Sequence, residues 1–354
     1  MNARLRQLLN DPRKFLLATS ALAYVLLLII IALLIMLMRD PVTRTADSSN
    51  DLSGGKAEVD QSLSGKTEKL FGKTVSLRNL KGLTLRIHQI ETCSASGVSA
   101  YVGVSTDEGV VNTKFKKADV KVYVDGKEVT DFDFSPVNTN TSPISNVLVI
   151  DHSGSMTTNG ALNNAKAAAT QYIQKLKASD QAALVQFDDR VETLVAMTQD
   201  KAAVVSSIAT IQPRGDTAIY DALDQAIGLI SGCGRKAVTI LTDGDDTASK
   251  TQSQTSVIDR ANKANLPIFS VGVKGLDFNP TSIKNISAAT GGQYLEANTP
   301  AEIGELYDRI NGQLSGQFVA NLRLKTSKTG AVHTLKIIST VEGSPTSSER
   351  SFIY

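Results

Sequence analysis

The sequence predicts a doubly wound α/β domain with a mostly parallel sheet, inserted in or flanked by a small β-sandwich and preceded by one transmembrane helix. Three observations carry that expectation. Strand-like and helix-like stretches alternate from Ile144 to about Ser315, short alternating or β-branched runs fill the segments on either side, and an uncharged apolar run precedes them all.

The apolar run spans Phe15 to Met38 without a charged residue. As a helix rising 1.5 Å per residue it is long enough to cross a hydrocarbon core of about 30 Å. Arg4, Arg6, Arg13 and Lys14 precede it, whereas only Arg39 and Arg44 follow closely. The positive-inside rule therefore puts residues 1–14 in the cytoplasm and everything after residue 40 outside. A cleaved signal peptide would have a shorter apolar core and end in small residues, but this run ends Ile35-Met36-Leu37-Met38-Arg39-Asp40. The expectation is an uncleaved anchor. Residues 39–69, rich in Ser, Asp, Gly, Thr and Lys, read as a flexible stalk with too few apolar side chains to offset the entropy of ordering.

Residues 70–137 change to strand text: Leu83-Thr84-Leu85-Arg86-Ile87, Ser99-Ala100-Tyr101-Val102-Gly103-Val104 and Val120-Lys121-Val122-Tyr123-Val124, the last followed by the turn Asp125-Gly126-Lys127. Lys114, Lys116, Lys117 and Lys121 form a basic group that reads as a solvated strand face. Residues 316–354 return to the same text, with Phe318 to Leu324, Val332 to Thr340 and Ser348 to Tyr354. Three strands alone are marginal, so these are expected to complete the sandwich begun at residue 70.

Between the two blocks, Asn146-Val147-Leu148-Val149-Ile150-Asp151 is a continuous apolar run suited to a strand buried on both faces. Leu162, Ala165, Ala169, Tyr172, Ile173 and Leu176 then form the stripe of a helix lying on a sheet. Further strands are expected at Ala182 to Phe187, Val191 to Met197, Ala237 to Leu241, Ile268 to Val273 and Gln293 to Leu295. Helices are expected around Lys201 to Ile208, Ala218 to Ile230, Ser256 to Ala264 and Ile303 to Leu314. The α/β domain thus runs over residues 144–315.

Charge and cysteine content narrow the function classes. Of the 354 residues 20% are charged, with a net charge of +2, so no whole-chain field favours nucleic acid. The two cysteines, Cys93 and Cys233, fit no zinc spacing. A bridge between them is open to an exported chain, but the reading favours free, buried thiols. His88, His152 and His333 belong to no catalytic motif, and neither HExxH nor GxSxG occurs, so the chain does not read as an enzyme.

In an open parallel sheet, ligands bind beyond the carboxyl ends of the strands. The informative residues fall there. The first strand runs into Asp151-His152-Ser153-Gly154-Ser155, a loop before a middle helix carries Gly215-Asp216-Thr217, and a later strand runs into Thr242-Asp243-Gly244. Asp151, Ser153, Ser155, Thr217 and Asp243 offer only hard oxygen donors. That set suits Mg2+, admits Mn2+, and disfavours Ca2+ because no bidentate Glu accompanies it. Asp216, Asp221, Asp245 and Asp246 read as helix caps, and Asp188 and Asp189 as turn residues.

The Asp-x-Ser-x-Ser motif at Asp151 to Ser155, with Thr217 and the Asp243-Gly244 pair, resembles the metal-ion-dependent adhesion site of von Willebrand factor A domains. The likeness covers residues 144–315, and the flanking strands are more weakly similar to the sandwich that carries such a domain in integrin β chains. It implies that the serine and threonine hydroxyls contact the metal and that the carboxylates act largely through water. The implied partner is a protein presenting an Asp or Glu side chain, either as an adhesion ligand or as a subunit of a cell-envelope assembly, secretion or pilus complex. The family's adjacent second cation site needs acidic residues just after the last serine. This chain has Met156-Thr157-Thr158-Asn159 there, so none is expected.

Overall fold

The computed structural model describes residues 67–70, 73–76, 82–93, 97–114, 116–274, 279–324, 330–341 and 344–354. The expected membrane helix 15–38, the segment 1–14 before it and most of the stalk 39–69 lie outside these residues. Among the described residues no helix is long and apolar enough to cross a membrane. Strand β1 (Thr67–Leu70) begins inside the expected stalk and pairs antiparallel with β2 (Lys73–Ser76).

The α/β domain is a six-stranded sheet built on β9 (Ile144–Asp151). On one side of β9 lie β10 (Gln181–Phe187) and the edge strand β11 (Val191–Thr198); on the other lie β12 (Arg235–Thr242), β13 (Ile268–Val273) and β14 (Tyr294–Ala297). All pairs are parallel except β10 with β11, a hairpin. The sheet order is β11-β10-β9-β12-β13-β14. The chain therefore leaves β9 in one direction and later returns to the other side of it at β12. That reversal opens a crevice at the carboxyl ends of β9 and β12.

The apolar run of β9 is buried because both its faces are covered. Leu148 and Ile150 pack with α1 (Ala161–Lys175), α2 (Lys201–Thr210) and α6 (Ile303–Ser315). Val147 and Val149 pack with α3 (Ile219–Gly228), α4 (Gln254–Lys263) and α5 (Thr281–Thr290). Each such side chain contributes about 1.5–3 kcal/mol when fully buried. Helix α5 was not anticipated. Its inward stripe is Ile283, Ile286, Ser287 and Thr290, so two hydroxyls stand where an apolar periodicity would be sought. Both are satisfied inside: Ser287 bonds Ser270 at 2.8 Å, and Thr290 accepts from Ile268 N at 3.1 Å.

The remaining strands form two antiparallel sheets around their own core. One is ordered β3-β4-β15-β8, from β3 (Thr84–Glu91), β4 (Val98–Ser105), β15 (Phe318–Leu322) and β8 (Phe132–Pro136), with β5 (Val111–Asn112) on β4. The other is β17-β16-β6-β7, from β6 (Val120–Val124), β7 (Lys127–Val129), β16 (Val332–Val341) and β17 (Ser344–Ile353). Strand β15, which follows the α/β domain, lies between two strands that precede it. Neither half of the chain completes either sheet alone.

The expectation of two free thiols is overturned: Cys93 and Cys233 form a disulfide. Residues 140 apart in sequence meet because the end of β3 docks against the loop leading into β12. The same seam is densely bonded. Gln89 Nε2 donates to Gly234 O at 2.7 Å and its Oε1 accepts from Lys236 N at 2.9 Å, while Glu91 accepts from Gly234 N. His88 donates through Nδ1 to Gly291 O at 2.7 Å. Gly291 takes a positive φ of 85°, and a Cβ there would stand 2.7 Å from the carbonyl oxygens of both Ile87 and His88. Only glycine fits this close approach.

Candidate metal centre

Strand β9 ends at Asp151, whose side chain is fully buried in the crevice beside β12. Its Oδ1 accepts the Ser153 amide at 2.8 Å, which turns the following loop back on itself. Its Oδ2 accepts the hydroxyl of Thr242, the last residue of β12, at 2.5 Å. Along the loop, the hydroxyls of Ser153 and Ser155 lie 3.1 Å apart, and Ser155 donates to Asp243 Oδ1 at 2.7 Å. Four of the five sequence-derived positions are therefore joined in one continuous chain of hydrogen bonds.

Thr217 enters from a third loop, just before α3. Its carbonyl accepts the amides of Thr247 at 2.8 Å and Ala248 at 3.0 Å, which ties this loop to the one after β12. A Cβ placed on Gly244 would stand 3.4 Å from Thr217 Oγ1, so that hydroxyl faces the Asp243-Gly244 turn. The structure thus brings all five positions to the crevice mouth. Burial is graded across them: Asp151 is 0% exposed, Ser153 1% and Thr217 6%, whereas Ser155 lies at the open surface.

The two carboxylates occupy an unfavourable setting for bare negative charge. Burial pushes the Asp151 carboxyl up to about 7 despite hydrogen bonds from Ser153 and Thr242, and Asp243 adds like charge. Burial also raises Asp243 above the usual carboxylate range, against the bond from Ser155. Among the described residues, the largest influences on either carboxyl include no lysine or arginine. Two carboxylates and three hydroxyls in this state fit a hard divalent cation, whose charge would offset theirs and whose preference is for oxygen.

The loops are held by residues that the sequence marked otherwise or not at all. His152 is 3% exposed, accepts the Arg214 amide on its carbonyl at 2.7 Å and donates through Nδ1 to Gln212 O at 2.7 Å. Its ring thereby fastens the Thr217 loop to the Asp151 loop. Asp188 closes the β10–β11 turn by accepting from Arg190 N at 2.7 Å, but it also pairs with Arg214 Nε at 2.5 Å, and its carbonyl accepts Ala218 N at 2.9 Å. Asp246 accepts from Tyr220 N at 3.2 Å at the start of α3, and Asp221 from the amides of Lys250, Thr251 and Gln252. Thr242 had no sequence signal, because threonine is ordinary in a strand.

Part of the α/β domain matches a family model. Residues 146–245 match the von Willebrand factor type A domain. The match is confined to the part of the A-type domain that carries β9 through the Asp243 loop. A relative from Synechocystis sp., an uncharacterized protein, is 25% identical over 187 residues, or 51% of this chain and 44% of the relative. The chain therefore spans less than half the length of that relative. Among solved structures, a von Willebrand factor type A protein from Catenulispora acidiphila has a TM-score of 0.47 at 14% identity, covering 77% of this chain and 73% of its own. BatB from Bacteroides thetaiotaomicron has a TM-score of 0.42 at 17% identity over 49% of this chain and 98% of its own. Proximal thread matrix protein 1 from the mussel byssus, solved with a zinc-occupied MIDAS motif, has a TM-score of 0.44 at 19% identity over 54% of this chain and 50% of its own.

Proposed function

We propose that the A-type domain is a divalent-cation-dependent protein-binding module, displayed outside a membrane by an anchor at residues 15–38. The observation that supports it most is the meeting of five oxygen-bearing side chains from three loops, with two carboxyl groups raised by burial. Ser153, Ser155 and Thr217 would hold an Mg2+-type ion with their hydroxyls, and Asp151 and Asp243 would balance its charge, making up a complete metal-ion-dependent adhesion site. Mn2+ suits the same donors, and Ca2+ suits them less. When bound, such an ion supplies an electrophilic position that an Asp or Glu carboxylate of a partner protein can fill. The exposure of Ser155 beside the buried Asp151 supports access from outside.

Two further features support the reading. His152 donates through Nδ1 to the Gln212 carbonyl and so holds the Asp151 and Thr217 loops together, which keeps the proposed ligands in place. The Cys93–Cys233 bridge suits an oxidising compartment, in line with residues beyond 40 lying outside the cytoplasm. An adhesion module and a scaffold subunit of a cell-envelope assembly would use the same site, and the location of the captured partner separates them. The test is calorimetry of Mg2+ and Mn2+ with the full-length protein, paired with partner capture in the presence and absence of chelator. Asp151→Ala and Thr217→Ala are expected to abolish cation uptake and capture while the fold persists. Uptake undiminished in both variants would sink the proposal.

A further inference from the structure

Thr242 is 0% exposed at the last position of β12, immediately before Asp243. A valine would fill the same volume there with no polar atom to satisfy, so the hydroxyl matters only through the bonds it makes. Those bonds leave its own strand. The Gly244 amide donates to Thr242 Oγ1 at 3.1 Å, and Asp151 Oδ2 lies 2.5 Å from the same oxygen, on a strand 91 positions earlier in the chain.

The direction of these bonds follows from what each group can do. An amide N–H only donates, so the hydroxyl accepts from Gly244. Its single proton then goes to the nearer acceptor, the Asp151 carboxylate, rather than to Gly244 O at 3.4 Å. With the Ser153 amide on Oδ1 at 2.8 Å, the Asp151 carboxylate is gripped at both oxygens, by one donor from the loop after β9 and one from the end of β12. Through the Gly244 amide, the same hydroxyl also orders the turn that carries Asp243. One oxygen atom thereby sets the relative placement of both carboxylates.

We infer that Thr242 is a positioning residue for the cation: its hydroxyl orients Asp151 and the Asp243 turn toward each other and so sets the affinity of the site for a divalent ion. This rests on the metal-binding reading above. Groups that orient ligands from behind are worth about ten- to a hundred-fold in metal affinity. The side chain need not touch the ion to have that effect.

The test is titration of the full-length protein and its Thr242→Val and Thr242→Ser variants with Mg2+ and Mn2+ alone, together with thermal unfolding of each in chelator. Thr242→Val is expected to bind about ten- to a hundred-fold more weakly, and Thr242→Ser, which keeps the hydroxyl, within about threefold of the natural protein. A threonine serving the fold alone would lower the chelator midpoint and leave the affinity of the folded Thr242→Val protein unchanged, and that result overturns the inference. Should Thr242→Val fail to fold, Thr242→Cys carries the comparison with a much weaker donor of similar size. It is expected to bind more weakly than Thr242→Ser, and equal affinity of the two overturns the inference. Absence of uptake by the natural protein would bring down the metal reading itself, whereas uptake that no Thr242 substitution changes brings down this inference alone.

Discussion

The two edges of the A-type sheet are built to opposite specifications. At the carboxyl edge, loops gather side-chain oxygens, and burial raises two carboxyl groups whose largest influences, among the described residues, include no lysine or arginine. At the amino edge the sandwich is fastened by a disulfide and by hydrogen bonds between the two domains. Arg235, 3% exposed at the start of β12, donates to Gln317 Oε1 at 3.1 Å, to Ser142 O at 2.9 Å and to Leu314 O. It thus touches both crossings between the two domains. Gln293 bridges to the sandwich as well, donating to Thr106 O and Asp107 O at 2.9 Å each and accepting from Ser105. One edge gathers side-chain oxygens from three loops, and the other joins the two domains by hydrogen bonds and a disulfide. The first edge carries the proposed binding site, and the second joins the two domains.

If that division holds, perturbing the fastened edge should change stability and leave cation binding alone. The largest effect is expected from Cys93→Ser with Cys233→Ser, which removes a cross-link closing a very long loop. Denaturant unfolding should show a loss of about 2–5 kcal/mol, with the Mg2+ affinity of the folded protein unchanged. A fall in affinity as large as the fall in stability would show that the edges are coupled and break the comparison.

A second effect at the same edge depends on pH. Burial drives His88 down from 6.5 to about 4, with Arg86, Arg350 and Arg235 adding to the burial and the Gly291 carbonyl opposing it. The unfolded chain therefore binds a proton between pH 6.5 and about 4 that the folded chain refuses, and folding stability falls as the pH is lowered through that window. The difference between natural protein and His88→Gln, measured by unfolding at several pH values, should change by up to about 3 kcal/mol from neutral pH to pH 4. A difference that stays flat would mean that the imidazole is not excluded from protonation at this seam.

The smallest effect sharpens the description of the open edge. Asp246 accepts the Tyr220 amide and the Ser249 hydroxyl rather than facing the ligand cluster. Asp246→Ala should cost about 1 kcal/mol of stability, as loss of a helix cap does, and change cation affinity far less than Asp151→Ala. An equal loss of affinity in both variants would enlarge the functional site beyond the five positions.

What was legible in the sequence was local. The run Val147 to Ile150 reads as a strand because neither face can take water, and helix α1 reads from the spacing of Leu162, Ala165, Ala169 and Ile173. The five oxygen residues could be nominated because each follows a strand or precedes a helix, where an open sheet gathers its loops. What stayed hidden depends on partners distant in the chain. Helix α5 hides two inward hydroxyls that find Ser270 and Ile268 only after the sheet forms. The disulfide requires the docked seam. The part of Thr242 in the site requires β9 and β12 to be neighbours, which the order of elements along the chain does not state.

The disulfide and β12 together have a mechanical consequence. A pull applied at the Asp243 loop and resisted at the start of β3 travels straight down β12, across the sulfurs and back along β3. The 140-residue separation between the two cysteines is bypassed, so both crossings lie outside the line of tension and β12 alone of the inserted domain's strands lies along it. A molecule tugged between those two points would bear the load through two strands and a covalent link rather than through the two peptide crossings.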